Sequence, residues 1–158
     1  MDYKIYLRPL RKEDAAVSFH WRNDAEVWQF TGNRPDREIT YDIEKKWIEK
    51  KLKIENERRY AICLYSNDKY IGNVQLTNIK NKTAEFHIFI GDKRYWGKGI
   101  GKEATKKIIE LGFNVMRLKE IYLEVEKNNI AAVKAYKKNG FYVSDSKGTK
   151  LLMKIKNL

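Results

Sequence analysis

The run Arg94-Tyr95-Trp96-Gly97-Lys98-Gly99-Ile100-Gly101-Lys102 places glycine at three alternate positions, between a strand-like segment and a helix-like one. Glycine lacks a Cβ, so main-chain N–H groups at such a turn can come close to a ligand. A helix starting directly after it adds the partial positive charge of its N-terminus, and Arg94, Lys98 and Lys102 add whole charges at the rim. The chemistry this suits is the holding of phosphate. Two familiar phosphate loops do not fit. A Walker A loop needs four residues between its glycines, whereas Gly97 and Gly101 enclose three and Glu103 stands at the hydroxyl position. In a G-x-G-x-x-G dinucleotide loop the third glycine comes one residue later than here. The competing reading is a plain flexible turn; the placement between strand and amphipathic helix is what points to a ligand.

The elements that must position this turn are legible from periodicity. Residues 3–8 alternate and read as a strand. Residues 13 to about 22 read as a helix, with Glu13 and Asp14 near its N-terminal dipole. Residues 31–37, with Gly32, Asn33 and Pro35, read as a loop. Thr40 caps a second helix that sets Ile43 with Trp47, and Ile48 with Leu52, at i,i+4. Residues 59–65 and 70–77 form a hairpin about Asn67-Asp68, and Thr83–Ile90 adds a third antiparallel strand after another turn.

Ile100, Ala104, Ile108, Leu111 and Val115 then recur at helical spacing. Ile121, Leu123 and Val125 alternate as a strand. Asn129 is placed to cap a helix that runs to Asn139 and stops at Gly140. Residues 141–144 and 151–155 read as two last strands. The order is strand, two helices, three strands, helix, strand, helix, two strands. It predicts a mixed α/β (α+β) fold with a mainly antiparallel sheet, in which residues 83–125 form a parallel crossover.

Composition bounds the rest. A chain of 158 residues with 42% hydrophobic and 13% aromatic residues can build the core of one domain, expected over residues 1–158. No run approaches the length of a membrane helix, and Met1-Asp2-Tyr3-Lys4-Ile5 lacks the apolar core of a secretory signal, so a cytoplasmic location is expected. Cys63 is the one cysteine and reads as a buried structural thiol within Ala61-Ile62-Cys63-Leu64. With His20 and His87 as the two histidines, no metal site is expected. The net charge of +12 is uneven: residues 1–79 hold 15 basic and 13 acidic residues, and residues 80–158 hold 18 and 8. The second half therefore attracts polyanions, be they nucleic acid, phospholipid or a multiply phosphorylated cofactor. A solvated lysine-rich surface is the plainer reading of the same charge.

Arg94-x-x-Gly97-x-Gly99 resembles the Q/R-x-x-G-x-G/A signature of the GNAT N-acetyltransferase superfamily. Residues 129–141, NIAAVKAYKKNGF, resemble its second hallmark, N-x-x-A-x-x-x-Y-x-x-x-G-F. Leu7-Arg8-Pro9-Leu10 and His20-Trp21-Arg22-Asn23-Asp24 resemble the ribosomal-protein alanine, spermidine and amino-sugar branches of that family. The likeness runs in order through nearly the whole chain.

The resemblance implies a seven-stranded, mostly antiparallel sheet with about four helices and two splayed central parallel strands. It implies an acyltransferase that moves acetyl from acetyl-CoA directly to a primary amine. By that likeness Gly97, Lys98, Gly99, Ile100, Gly101 and Lys102, with Arg94, hold the CoA pyrophosphate. Phe89 and Ile90 pair with the pantetheine arm, and Asn129 lies near it. A main-chain N–H of Thr83–Ile90 stabilises the oxyanion. Tyr136 stands at the family's general-acid position, although Ala132, Val133 and Tyr136 share a helical face and the ring can simply pack. Glu85 is the base candidate, since burial in a strand would raise its pKa; a solvent-facing carboxylate is the alternative. His87, two residues on, faces the same side and can relay a proton, and it departs from the family pattern. A packed or merely exposed histidine competes with that role.

The acceptor site implied by the likeness is built by the first two helices and their loop. That region carries Phe19, Trp21, Trp28 and Phe30, with Asp24, Glu26, Asp36 and Glu38. A polyamine calls for an acidic pocket, which the near-neutral first half supports little. An anionic amino-sugar nucleotide suits the basic chain, and a protein N-terminus stays open. Two rival functions are a basic nucleic-acid-binding module using Tyr95, Trp96, Lys134, Lys137 and Lys138, and a catalytically silent CoA-binding regulator. A homodimer through the sheet or the C-terminal strands fits the same reading.

Overall fold

The computed structural model describes residues 3–31 and 34–158. Seven strands form one sheet in the order β1-β2-β3-β4-β5-β7-β6, with β1 Ile5–Pro9, β2 Arg58–Leu64, β3 Tyr70–Lys80, β4 Thr83–Ile90, β5 Glu120–Glu126, β6 Tyr142–Lys147 and β7 Lys150–Lys156. All pairings are antiparallel except β4 with β5. The helices are α1 Ala15–Asn23, α2 Ala25–Thr31, α3 Tyr41–Leu52, α4 Ile100–Asn114 and α5 Ile130–Lys138.

Alternation along the strands gives the sheet two faces. One face presents Val74, Leu76, Ala84, Phe86, Ile121, Leu123 and Met153, all nearly inaccessible, to α4 and α5. Helix α4 meets it with Ile100, Ala104 and Ile108, whose spacing forms one apolar stripe. Burying each such aliphatic side chain contributes about 1.5–3 kcal/mol. The other face carries Ala61, Cys63 and Tyr70 against Leu10, Ala15, Trp21, Val27 and Ile48, from α1, α2, α3 and the segment before them.

The strand and helix segments stand where periodicity placed them, with boundaries moved by a few residues. One element is additional. The sequence reading gave two helices between the first two strands, and the structure has three. Helix α2 escaped notice because it has only seven residues. Its start is signalled by Asp24, whose Oδ1 accepts from the Glu26 N–H (3.0 Å). The expected loop begins within α2, at Thr31, and its Gly32 and Asn33 lie outside the described residues. Val115 does not continue the apolar stripe of α4: it lies just past the helix end and is 70% exposed. Among the described residues no helix is long and apolar enough to cross a membrane.

Candidate active site

The glycine turn leads from β4 into α4. Asp92 opens it as a 3-10 cap, its Oδ1 accepting from the Arg94 N–H at 3.1 Å. The Arg94 guanidinium closes back on the same carboxylate through Nε (3.0 Å) and Nη2 (2.7 Å), and Lys69 Nζ lies 3.4 Å from it. These cations hold the Asp92 carboxyl below the usual range, with Arg94 contributing most. Arg94 thus braces the turn from its exposed surface. Gly97 and Gly99 adopt φ of +70° and +79°, a left-handed conformation that glycine takes without a Cβ penalty. Gly99 is the N-cap of α4, so the N–H groups of Ile100, Gly101 and Lys102 have no acceptor within the helix.

A Cβ built at Gly97, Gly99 or Gly101 meets nothing within 4 Å. The turn therefore presents bare main-chain donors to open space. Lys98 and Lys102 are exposed beside it and pair with no carboxylate among the described residues. A donor set of this kind suits a diphosphate. Tyr95 and Trp96 are not splayed out for base stacking. Tyr95 packs edge-on against Tyr3 (5.4 Å between centroids), and the Trp96 indole N–H donates to the Ile90 carbonyl (2.7 Å).

Strands β4 and β5 pair over three registers, Thr83 with Glu120, Ala84 with Ile121 and Glu85 with Tyr122. Their base is pinned by the Lys119 N–H on the Lys82 carbonyl (2.7 Å). Beyond Glu85 the strands diverge, and a wedge-shaped gap opens toward the glycine turn. The Gly91 N–H bonds to the Ile71 carbonyl (2.9 Å), which fixes the phase of the β3–β4 ladder. Odd residues of β4 turn their main-chain groups toward β3; Phe86, Ile88 and Ile90 turn theirs into the gap. Phe89 faces β3 with its main chain, and its ring packs edge-on against Trp21 (5.9 Å). Phe86 and Ile88 were missed by the sequence reading, because the phase of a ladder is set by its partner strand.

Tyr136 reaches the α4 side of this gap from α5, its ring edge-on to Phe86 and Phe141, each at 5.8 Å. Burial pushes the phenol up, so it stays protonated at neutral pH. Its hydroxyl bonds to no protein group among the described residues. Asn129 caps α5, with its side-chain oxygen accepting from the Ala132 N–H (3.2 Å).

On the opposite face of the gap Glu85 and His87 meet, with His87 Nε2 2.7 Å from Glu85 Oε2. Asn78 Nδ2 donates to Glu85 Oε1 (3.2 Å). Glu85 is half-buried and His87 is 46% exposed. Tyr122 shares this face, and its phenol is pushed up by burial and by the Glu85 carboxylate. Glu124 and Glu126 follow Tyr122 on the same face, both exposed.

The aromatic acceptor candidates separate. Trp21 is core, lying over Tyr70 (4.7 Å) and so close above Gly91 that a Cβ there would stand 2.0 Å from the indole. Phe19 stacks on His20 (3.9 Å), and Arg34 lies over the Trp28 ring (5.6 Å). The Phe30 side chain is outside the described residues. Asp24 and Glu26 receive Lys93 Nζ at 3.0 and 3.3 Å, which ties the α1–α2 corner to the start of the glycine turn. Cys63 is fully buried on β2.

Residues 4–142 match the family model of the acetyltransferase (GNAT) domain. The chain is 32% identical over 144 residues to the spermidine N(1)-acetyltransferase of Escherichia coli K12, covering 89% of this chain and 74% of that protein. It is 25% identical over 136 residues to the acetyltransferase PseH of Campylobacter jejuni, covering 86% and 82%. The spermidine N-acetyltransferase of Vibrio cholerae, solved in complex with CoA and spermine, superposes with a TM-score of 0.82 at 23% identity, covering 96% of this chain and 95% of that one. The cradle of bare main chain, the gap between two parallel strands and these relationships have one common source: the chain belongs to the GNAT acetyltransferase family and is an acetyl-CoA-dependent N-acetyltransferase.

Proposed function

We propose that the acceptor is a primary amine of a small polycation of the polyamine class. The observation that carries this is local charge. The net charge is +12, yet the face of the gap opposite α4 presents Glu85, Glu124 and Glu126, with Tyr122 among them; Lys150, Lys154 and Lys156 share that face from β7, the first two 3.9 and 3.8 Å from Glu124 and Glu120. Whole-chain charge favoured an anionic acceptor. Much of that charge lies on the other side, on the glycine turn, α4 and α5, where Lys98, Lys102, Lys106, Lys134 and Lys138 suit the phosphates of the co-substrate. The relation to a spermidine acetyltransferase supports the same class. PseH is the relative that would argue for another acceptor, and a basic acceptor face would have favoured that reading.

In this reading the N–H groups from Gly97 to Lys102 hold the diphosphate, with Lys98 and Lys102 at its rim. The gap-facing main chain of Phe86, Ile88 and Ile90 pairs with the extended, amide-rich pantetheine arm. Ile90 offers its N–H, because Trp96 already occupies its carbonyl. A main-chain N–H of this edge holds the oxyanion. The Asn129 amide N–H groups lie at the end of β5 beside the arm. Tyr136 gives its proton to the departing sulfur, a role that its burial-raised pKa permits at neutral pH. The amine enters from the Glu85–His87 side, where its proton must be removed before attack. The exposed edge strand β6 supports a homodimer, and cytoplasmic acetyl-CoA supports a cytoplasmic setting.

The test is steady-state acetyl transfer from acetyl-CoA to spermidine, spermine, a nucleotide-linked amino sugar and a peptide N-terminus. The expected result is the highest kcat/KM for a polyamine, with KM raised by Glu124→Gln. A higher kcat/KM for the amino sugar would overturn the polyamine assignment.

A further inference from the structure

We infer that His87, not Glu85, is the group that takes the proton from the incoming amine, and that Glu85 is its positioning residue. The inference deepens the reading above and rests on it.

Three observations carry it. First, both oxygens of Glu85 are engaged: Oε2 with His87 Nε2 at 2.7 Å and Oε1 with Asn78 Nδ2 at 3.2 Å. Each oxygen of this carboxylate thus already accepts from a side chain, one of them the imidazole that it orients. Second, the contact through Nε2 fixes the imidazole. With Nε2–H donating to the carboxylate, the lone pair lies on Nδ1, which bonds to no protein group among the described residues. Third, His87 lies two residues past the last paired position of β4, on the open gap, and is 46% exposed against 25% for Glu85. An amine approaching from that face meets the imidazole first.

Among the described residues no other carboxylate or cation is bonded to the pair. From β3, its register neighbours are the uncharged Gln75 and Thr77. From β5, Tyr122 stands opposite Glu85, and Glu124 follows it on the same face, with Lys150 Nζ 3.9 Å away. The arrangement Asn78–Glu85–His87 is the base-plus-orienter pattern that activates nucleophiles elsewhere, here aimed at a substrate amine.

The protons balance as follows. The ammonium gives one proton to His87 Nδ1, which passes it to solvent, and the freed nitrogen lone pair forms the C–N bond to the acyl carbon. The C–S bond breaks with its electron pair going to sulfur. Tyr136 donates its hydroxyl proton to that sulfur and is restored by a second proton from the nitrogen. The third proton stays on the amide.

The experiment is the pH profile of kcat/KM for spermidine acetylation by the full chain, for wild type, His87→Gln and Glu85→Gln, with CoA affinity measured alongside. In wild type a single-proton inflection is expected on the rising limb. His87→Gln is expected to lose about 10²–10⁴-fold in kcat at neutral pH, to lack that inflection, and to recover as the pH approaches the ammonium's own pKa. Glu85→Gln has one acceptor oxygen, which keeps the His87 bond only when the Asn78 amide turns to accept from the new NH2, so it retains the inflection while kcat falls. CoA affinity stays unchanged in both. His87→Gln with a wild-type profile, or Glu85→Gln without the inflection, overturns the assignment and returns the role to Glu85 or to water. Wild type that turns over an amino sugar or a peptide but no polyamine refutes the acceptor class instead, and the same three profiles are then run on that amine.

Discussion

Adding one methyl group at Gly99 and one at Gly101 should move stability in opposite directions, although the residues are two apart in one turn. Neither Cβ would meet a protein atom within 4 Å, so packing contributes nothing at either site and backbone conformation decides. Gly99 holds φ +79°, ψ 4°, where an alanine costs about 1–2 kcal/mol. Gly101 is the second residue of α4 with no positive φ, and alanine there gains about 0.5–1 kcal/mol over glycine. For a chain of this size about 1 kcal/mol is worth roughly 2–4 °C. Gly99→Ala should therefore lower the melting temperature by about 2–8 °C, and Gly101→Ala should raise it by about 1–4 °C.

CoA binding separates the pair a second way. If Gly99→Ala relaxes its strain by turning the cap out of the left-handed region, the first N–H groups of α4 lose their common aim. Losing one charge-assisted bond to phosphate then weakens binding by about 1.5–3 kcal/mol, roughly tenfold to a hundredfold. Gly101→Ala leaves the cap conformation alone and should keep CoA affinity within a few-fold. Differential scanning calorimetry gives the first quantity and titration calorimetry with CoA the second. Equal melting temperatures together with equal CoA affinities would refute the argument that the left-handed cap builds the phosphate cradle.

Tyr136→Phe should lower kcat at least tenfold while CoA affinity and melting temperature stay near wild type, because its hydroxyl bonds to no described protein group; a rapid-mix acetyl transfer assay measures it. Gly91→Ala forces a methyl against the Trp21 indole and should cost about 3 kcal/mol in urea unfolding, since the ring is wedged between Tyr70 and Phe89. Asp92→Asn should destabilise at pH 7 and not at low pH. The folded-state pKa of Asp92 lies below its unfolded value, so its contribution is present above about pH 4 and vanishes as pH falls through the folded value. A stability gap to wild type that persists unchanged at pH 3 would contradict this.

The glycine turn, its helix and the strand before it were legible because each depends on local signals: positive-φ glycines, an apolar stripe at helical spacing, and alternation over Thr83–Ile90. The opening between β4 and β5 followed from the family likeness, and its extent did not. Three paired registers rather than five or six is a property of two distant segments. The same applies to the role of Arg94. Its place in the signature marked it as a phosphate ligand, and its pairing with Asp92, two residues earlier, shows only once the turn is folded. Glu85 was singled out for the cost of a buried carboxylate, yet it is half-exposed and held by Asn78 and His87. Asn78 went unremarked because it lies across a turn on β3, where only register brings it near. Short helices such as α2 lack the two turns that make a period visible.

Alternation on β4 has a consequence for how this enzyme can change. Even-numbered residues pack against α4 and α5, and odd-numbered residues 85 and 87 meet on the opposite face, so in the proposed reading the first set serves the co-substrate and the second the amine. In that reading, a substitution at position 122 or 124, on the same face in β5, therefore redirects acceptor choice while leaving the co-substrate's contacts and the Glu85–His87 pair untouched. Selection, or a designer, can explore one specificity at a time along one strand, and the seven-stranded scaffold absorbs the exploration without being rebuilt.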